Sequence, residues 1–129
     1  MTEGLWETSH GVVEDHLDSL RARHAADLEG AAAGVVGQLR RIPEVHKVVL
    51  FGSYAAGRRD LFTDLDFLVV MDSDADFITR NAEMAGCIQC KVALDLLVYT
   101  PKEMEQMRKR PFISHALRTG KVMYESDTA

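Results

Sequence analysis

An α/β fold, a small mixed β-sheet flanked by helices, is what this sequence predicts, and three observations carry the prediction. Short β-branched runs such as Val48-Val49-Leu50-Phe51, Phe67-Leu68-Val69-Val70 and Leu94-Asp95-Leu96-Leu97-Val98 recur along the chain. Stretches with helical start and stop signals alternate with them. A long segment of helical period precedes the first run. At 129 residues the chain is one domain's worth, with enough length for a modest core.

Residues 1–12 show no consistent period and are expected to be a flexible N-terminus. The single domain is expected to span 13–129. Over 13–42, Val13, Leu17, Leu20, Leu28, Val35, Leu39 and Ile42 recur at helical spacing with charges on the other faces, predicting an amphipathic helix. Gly30, Gly34 and Gly37 weaken it, with a break expected near Gly30, and Pro43 ends it. Such a helix beside a small sheet is also a place for homodimer contacts. A first strand is expected over 45–51, a short helix over 53–57 and a second strand over 65–71. Asp72 or Asp74 is expected to cap a helix from Ala75 towards Cys87. A third strand follows over 91–99. Thr100-Pro101-Lys102-Glu103 has the cap, first-turn proline and acidic third position of a helix start, reaching about Lys109. Pro111 interrupts, a last helix covers 112–118, and Gly120 stops it.

The chemistry concentrates where the first strand meets the second. Gly52-Ser53 follows a buried-strand pattern, and a glycine there lets backbone approach a ligand while the Ser53 hydroxyl adds a donor. The small residues behind it open a helical turn whose N–H groups attract phosphate. Ten residues further on comes Asp64-Leu65-Asp66. Strand alternation points Asp64 and Asp66 the same way, and two such carboxylates repel unless a cation lies between them. Magnesium is the natural cation, being hard, oxygen-liganded and often shared between carboxylates and substrate phosphates. Asp95 is a charge inside an apolar run, which calls for pairing or coordination. Three acids on neighbouring strands suit a site for two metal ions flanking a displacement at phosphorus.

Composition sets limits. Hydrophobic residues make up 47% and charged residues 27%, ordinary for a globular domain. No apolar run reaches membrane-spanning length, and no basic segment followed by an apolar stretch opens the chain, so a cytoplasmic location is expected. The net charge of −5 argues against a strong nucleic-acid surface. Arg108-Lys109-Arg110 is short and reads as a helix C-terminus. Cys87 and Cys90 lack the second pair a zinc site needs and read as reduced thiols. The five histidines form no ligand spacing.

Gly52, Ser53, Asp64, Asp66 and Asp95, at these separations, resemble the DNA polymerase beta-type nucleotidyltransferase superfamily, and within it the minimal nucleotidyltransferases. The likeness runs from about Val45 to Tyr124 and takes in the 99–104 segment and the ending Gly120-Lys121-Val122-Met123-Tyr124. It implies a polymerase beta-like fold, two Mg2+ ions and ATP as substrate. It implies metal binding and catalysis by Asp64, Asp66 and Asp95, and triphosphate binding by Gly52 and Ser53. Many minimal members carry arginines where this chain has Tyr54 and Ala56; Arg58 and Arg59 are the nearby charges that could serve the phosphates instead. Members of this kind act beside a small helical HEPN protein, as the antitoxin of a toxin–antitoxin pair. The resemblance therefore implies transfer of AMP to a tyrosine of such a toxin. The alternatives are an antitoxin that neutralises by binding alone, and nucleotide transfer to RNA or a small molecule.

Overall fold

The computed structural model describes residues 2–127. The order is α1 (Thr2–Arg40), β1 (Val45–Phe51), α2 (Gly52–Ala55), β2 (Leu65–Met71), α3 (Phe77–Cys87), β3 (Leu94–Tyr99), α4 (Pro101–Met107), α5 (Pro111–Thr119) and β4 (Lys121–Glu125). Four strands form one sheet in the order β3-β2-β1-β4. β1 runs antiparallel to both of its neighbours, while β2 and β3 are parallel and α3 makes the crossover between them. The sheet is therefore mixed and flanked by helices, as the alternation of runs predicts.

Strand alternation divides the core in two. Leu65, Phe67, Val69 and Val98 face α1 and α3, together with Val48 and Leu50. Val49, Phe51, Leu68 and Tyr99 face α4 and α5, where Met104, Ile113 and Ala116 meet them. The second half of α1 supplies Leu28, Val35 and Leu39 to the first core, each fully buried, whereas Val13 is 56% exposed. Burial of that stripe carries the helix through Gly30 and Gly34 without the expected break. Helical backbone also begins at Thr2, ahead of the start expected at residue 13; proline, the strongest breaker, does not occur before Pro43.

Other differences have local causes. The α3 cap is Asp76, whose side chain accepts from the Thr79 N–H at 2.8 Å; neither Asp72 nor Asp74 caps it. Asp72 instead pairs with His46 Nε2 at 2.7 Å. β3 begins at Leu94 because pairing with β2 begins at the Leu65–Leu94 register. α4 stops at Met107, and Arg108 is its C-cap. The ending 121–125 is a fourth strand on β1. It approaches so closely that a β-carbon on Gly120 would lie 2.8 Å from Val49 Cγ1 and 2.9 Å from the Leu50 carbonyl. Cys87 and Cys90 are free thiols.

One buried cation ties three of these elements together. Arg80 on α3 is 3% exposed. Its guanidinium donates to the Ala75 carbonyl at 2.8 Å, to the Val98 carbonyl of β3 at 3.0 Å and to Glu103 of α4 at 2.6 Å. Glu103 at the same time completes the predicted capping box with Thr100, accepting from the Thr100 N–H at 2.9 Å. Arg80 holds the Glu103 carboxyl below its usual range, with the Thr100 N–H adding to the effect. Removing the carboxylate strands a buried charge. Glu103→Ala should lower unfolding stability by on the order of 2 kcal/mol, towards the low end for a broken buried pair because Glu103 is partly solvated. Urea titration checks this, and an unchanged midpoint would contradict it.

Candidate functional site

At the end of β1 the chain turns at Gly52, which has φ +80°, a left-handed conformation that L side chains rarely adopt. A β-carbon there would also fall within the Asp66 carboxyl group, 3.0 Å from Cγ and 3.2 Å from Cβ. Both the backbone angle and the space therefore require glycine. The turn opens α2, whose N-cap is Phe51 and whose first turn no side chain caps. Ser53 follows in that turn, and Tyr54 is buried in the core behind it.

The acids come from the two neighbouring strands. Asp66 stands opposite Phe51 on β1 and opposite Asp95 on β3. It shares a face with Leu68, the face covered by α4 and α5. Asp66 is half-buried, and Asp95, on the edge strand, is exposed. Burial pushes the Asp66 carboxyl up to about 6; the Asp95 charge adds to it, then a hydrogen bond to Asp95, then the Asp64 charge. The tightest acidic pair is thus Asp66 with Asp95, across the parallel register. Asp64 lies just before β2 and makes the smallest contribution to the shift.

The connection between turn and acids is built around Asp60. Its Oδ1 accepts from the Phe62 N–H at 2.9 Å and from Thr63 Oγ1 at 3.2 Å, while Arg58 grips the same carboxylate. Arg58 holds the Asp60 carboxyl below its usual value. The Arg58 guanidinium is raised in turn, chiefly by Asp60 and to a lesser extent by Asp64. Thr63 is buried, and its carbonyl meets His24 Nε2 of α1 at 3.1 Å. Arg59 turns the other way: it lies over the Tyr54 ring at 3.5 Å and donates to the Tyr54 carbonyl at 2.7 Å. Arg58 is thus engaged with Asp60 and Arg59 with Tyr54.

Among the described residues, no group of three or more His, Cys, Asp or Glu side chains stands as a ready-made metal cage. Magnesium does not need one, since it keeps waters and takes its other oxygens from substrate phosphates. A half-buried carboxylate facing a second one, with a third nearby and the pair costly to ionise, has the donor chemistry of a hard divalent cation. The residues fit such an ion.

Sequence reasoning did not single out Phe112. It opens α5 beside Pro111, is 62% exposed, and packs edge-to-face on Phe51 with ring centroids 5.9 Å apart. Its signal in the sequence is an aromatic side chain one position ahead of the buried Ile113, off the apolar face of its helix.

The family of polymerase beta nucleotidyltransferases matches residues 36–129. Two crystal structures, both of mutants of the toxin-antitoxin MntA-HpeT, align over 73% of this chain and 72% of theirs, at 22% and 20% identity and a TM-score of 0.46. No curated protein matches the chain.

The raised Asp66 carboxyl has a thermodynamic consequence. A folded-state value of about 6 against an ordinary 3.8 means that the fold favours the protonated form. The stability this contributes is complete below pH 3.8 and is lost as pH rises through 6. Asp66→Asn should therefore raise the Tm of the metal-free protein at pH 7.5, with the gain shrinking as pH falls towards 4. Added Mg2+ should raise the wild-type Tm at pH 7.5 and leave that of Asp66→Asn nearly unchanged. A pH-independent difference between the two proteins would contradict the assignment.

Proposed function

The chain belongs to the polymerase beta nucleotidyltransferase family, and on that premise we propose that it moves AMP from ATP to a hydroxyl of a partner protein. The observation that carries this is the register that sets Asp66 against Asp95 and beside the side-chain-free Gly52. Phosphate-binding turn and cation-binding acids thus share one end of the sheet.

In this reading the Gly52-Ser53 turn receives the triphosphate through backbone N–H groups and the Ser53 hydroxyl. Asp64 and Asp66 would hold magnesium, with Asp95 completing its oxygen set. When bound, magnesium would neutralise the phosphate oxygens and stabilise the attacking and leaving groups of an in-line displacement. Asp95, the exposed acid on the edge strand, takes the proton of the acceptor hydroxyl. A bond forms between the acceptor oxygen and the α-phosphorus, the bond to the bridging oxygen breaks, and pyrophosphate leaves. Arg58 shifts from Asp60 towards the phosphates. Arg59, committed to Tyr54, stays out of the reaction.

The acceptor is a protein. Leu61 and Phe62, 40% and 82% exposed, lie three and two residues before Asp64 and offer an apolar surface close to it in the chain. In this reading the partner is a helical HEPN-type toxin modified on tyrosine, with this chain as its antitoxin, and the resemblance to the minimal nucleotidyltransferases supports it.

α-Labelled ATP and Mg2+, incubated with this protein and a candidate helical partner, test the reading. Label should move to the partner band, and Asp64→Ala/Asp66→Ala should cut transfer by at least 100-fold. Neutralisation of the partner with no label transferred would sink catalysis in favour of an antitoxin that acts by contact. Label on RNA would give the acceptor a different identity.

A further inference from the structure

We propose that Phe112 is the platform on which the nucleobase of the bound NTP stacks. This rests on the nucleotidyltransferase reading and names a contact that the Gly-Ser and carboxylate pattern does not include. Asp66, Asp95 and Phe51 lie on the same face of the sheet, because positions 66 and 68 of β2, 95, 97 and 99 of β3, and 49 and 51 of β1 all point towards α4 and α5. Phe51 is the cross-strand partner of Asp66, one strand spacing of about 4.8 Å away. Phe112 packs on Phe51 with the two rings at 87°. An exposed aromatic side chain thus packs on the cross-strand neighbour of Asp66, at the end of β1 where the Gly52 turn begins.

Its exposure is selective. Phe51 is 7% exposed and Ile113 2%, whereas Phe112 is 62% exposed. The T-shaped contact fixes the Phe112 ring and leaves most of its surface open. Pro111 and the buried Ile113 and Ala116 hold the first turn of α5 in place, so the ring is presented by a rigid element. In the proposed complex the nucleoside extends away from the α-phosphate beside Asp66, and the open ring of Phe112, on the same side of the sheet, is suited to the flat face of a base. Stacking of this kind tolerates any base, because every base has a π face. Phe112 therefore contributes affinity for the nucleoside without choosing among NTPs. A protein acceptor meets the opposite end of the acid row, at the exposed Asp95.

The test is calorimetric titration of the full chain with Mg2+ and an ATP analogue whose α,β bridge cannot be cleaved. A parallel titration uses inorganic tripolyphosphate, which has the charge and no base. Phe112→Ala should weaken the ATP analogue about tenfold and leave tripolyphosphate unchanged, and Phe112→Trp should restore analogue affinity. Equal weakening of both ligands, or no change for the analogue, would overturn the platform. If the wild-type protein binds neither ligand, the nucleotidyltransferase reading falls and the platform falls with it. Binding of both by the wild type with an unaffected Phe112→Ala variant removes the platform alone.

Discussion

Room for the Asp66 carboxylate exists only because residue 52 has no side chain. A β-carbon on Gly52 would occupy the carboxyl group's own position, and the +80° φ at that residue is one that other residues rarely hold. The constraint runs in both directions. It places the first turn of α2 against the acid, and it sets the acid where a phosphate held by that turn would lie. The Asp60 network shapes the intervening connection, and Thr63, anchored to α1 through His24, delivers Asp64 to the start of β2. Loss of the close approach at Gly52 would separate the turn from Asp66, the two halves of the proposed site.

The sheet supplies the second half of the arrangement. Parallel pairing of β2 and β3 puts Asp66 directly beside Asp95, and the apolar walls that hold this register leave Asp66 half-buried. Burial and a facing carboxylate are both unfavourable to a charged Asp66, so the metal-free protein keeps a group there that ionises reluctantly. That cost is the usual mark of a site shaped for a ligand and not for stability alone. In the proposed function a divalent cation, shared with the phosphates, relieves it. The buried Arg80 keeps α3, β3 and α4 in one arrangement behind this surface, and so holds the edge strand that bears Asp95.

Much of this was legible in the chain itself. β2 follows directly from its β-branched run, and the capping box at Thr100 and Glu103 follows from side-chain chemistry confined to four residues. Gly52, Asp66 and Asp95 stood out because a glycine turn and acids within apolar runs are costly without a purpose. The features that escaped depend on partners remote in sequence. Asp76 caps α3 because the helix begins at Phe77, and Asp72, at the end of β2, meets His46, twenty-six positions earlier. Arg80 is an unremarked helix residue until Val98 and Glu103 fold around it. Pairing of 121–125 with β1 has no local signature stronger than a short apolar run. Spacing in sequence shows Asp64 beside Asp66 and puts Asp95 on another strand, but it cannot show the register that sets Asp95 opposite Asp66. Phe112 gains its meaning only from contact with Phe51.

The measurement that goes most directly to the central claim is a carboxyl-detected NMR titration of Asp66 with and without Mg2+ and a non-cleavable ATP analogue. In the free protein Asp66 should titrate near pH 6. With magnesium and nucleotide its midpoint should fall below the ordinary aspartate value of about 3.9, because the cation stabilises the charged form. A midpoint near 4 in the free protein that does not move on addition of magnesium and nucleotide would contradict the claim that turn, register and acids form a single cation-and-phosphate site.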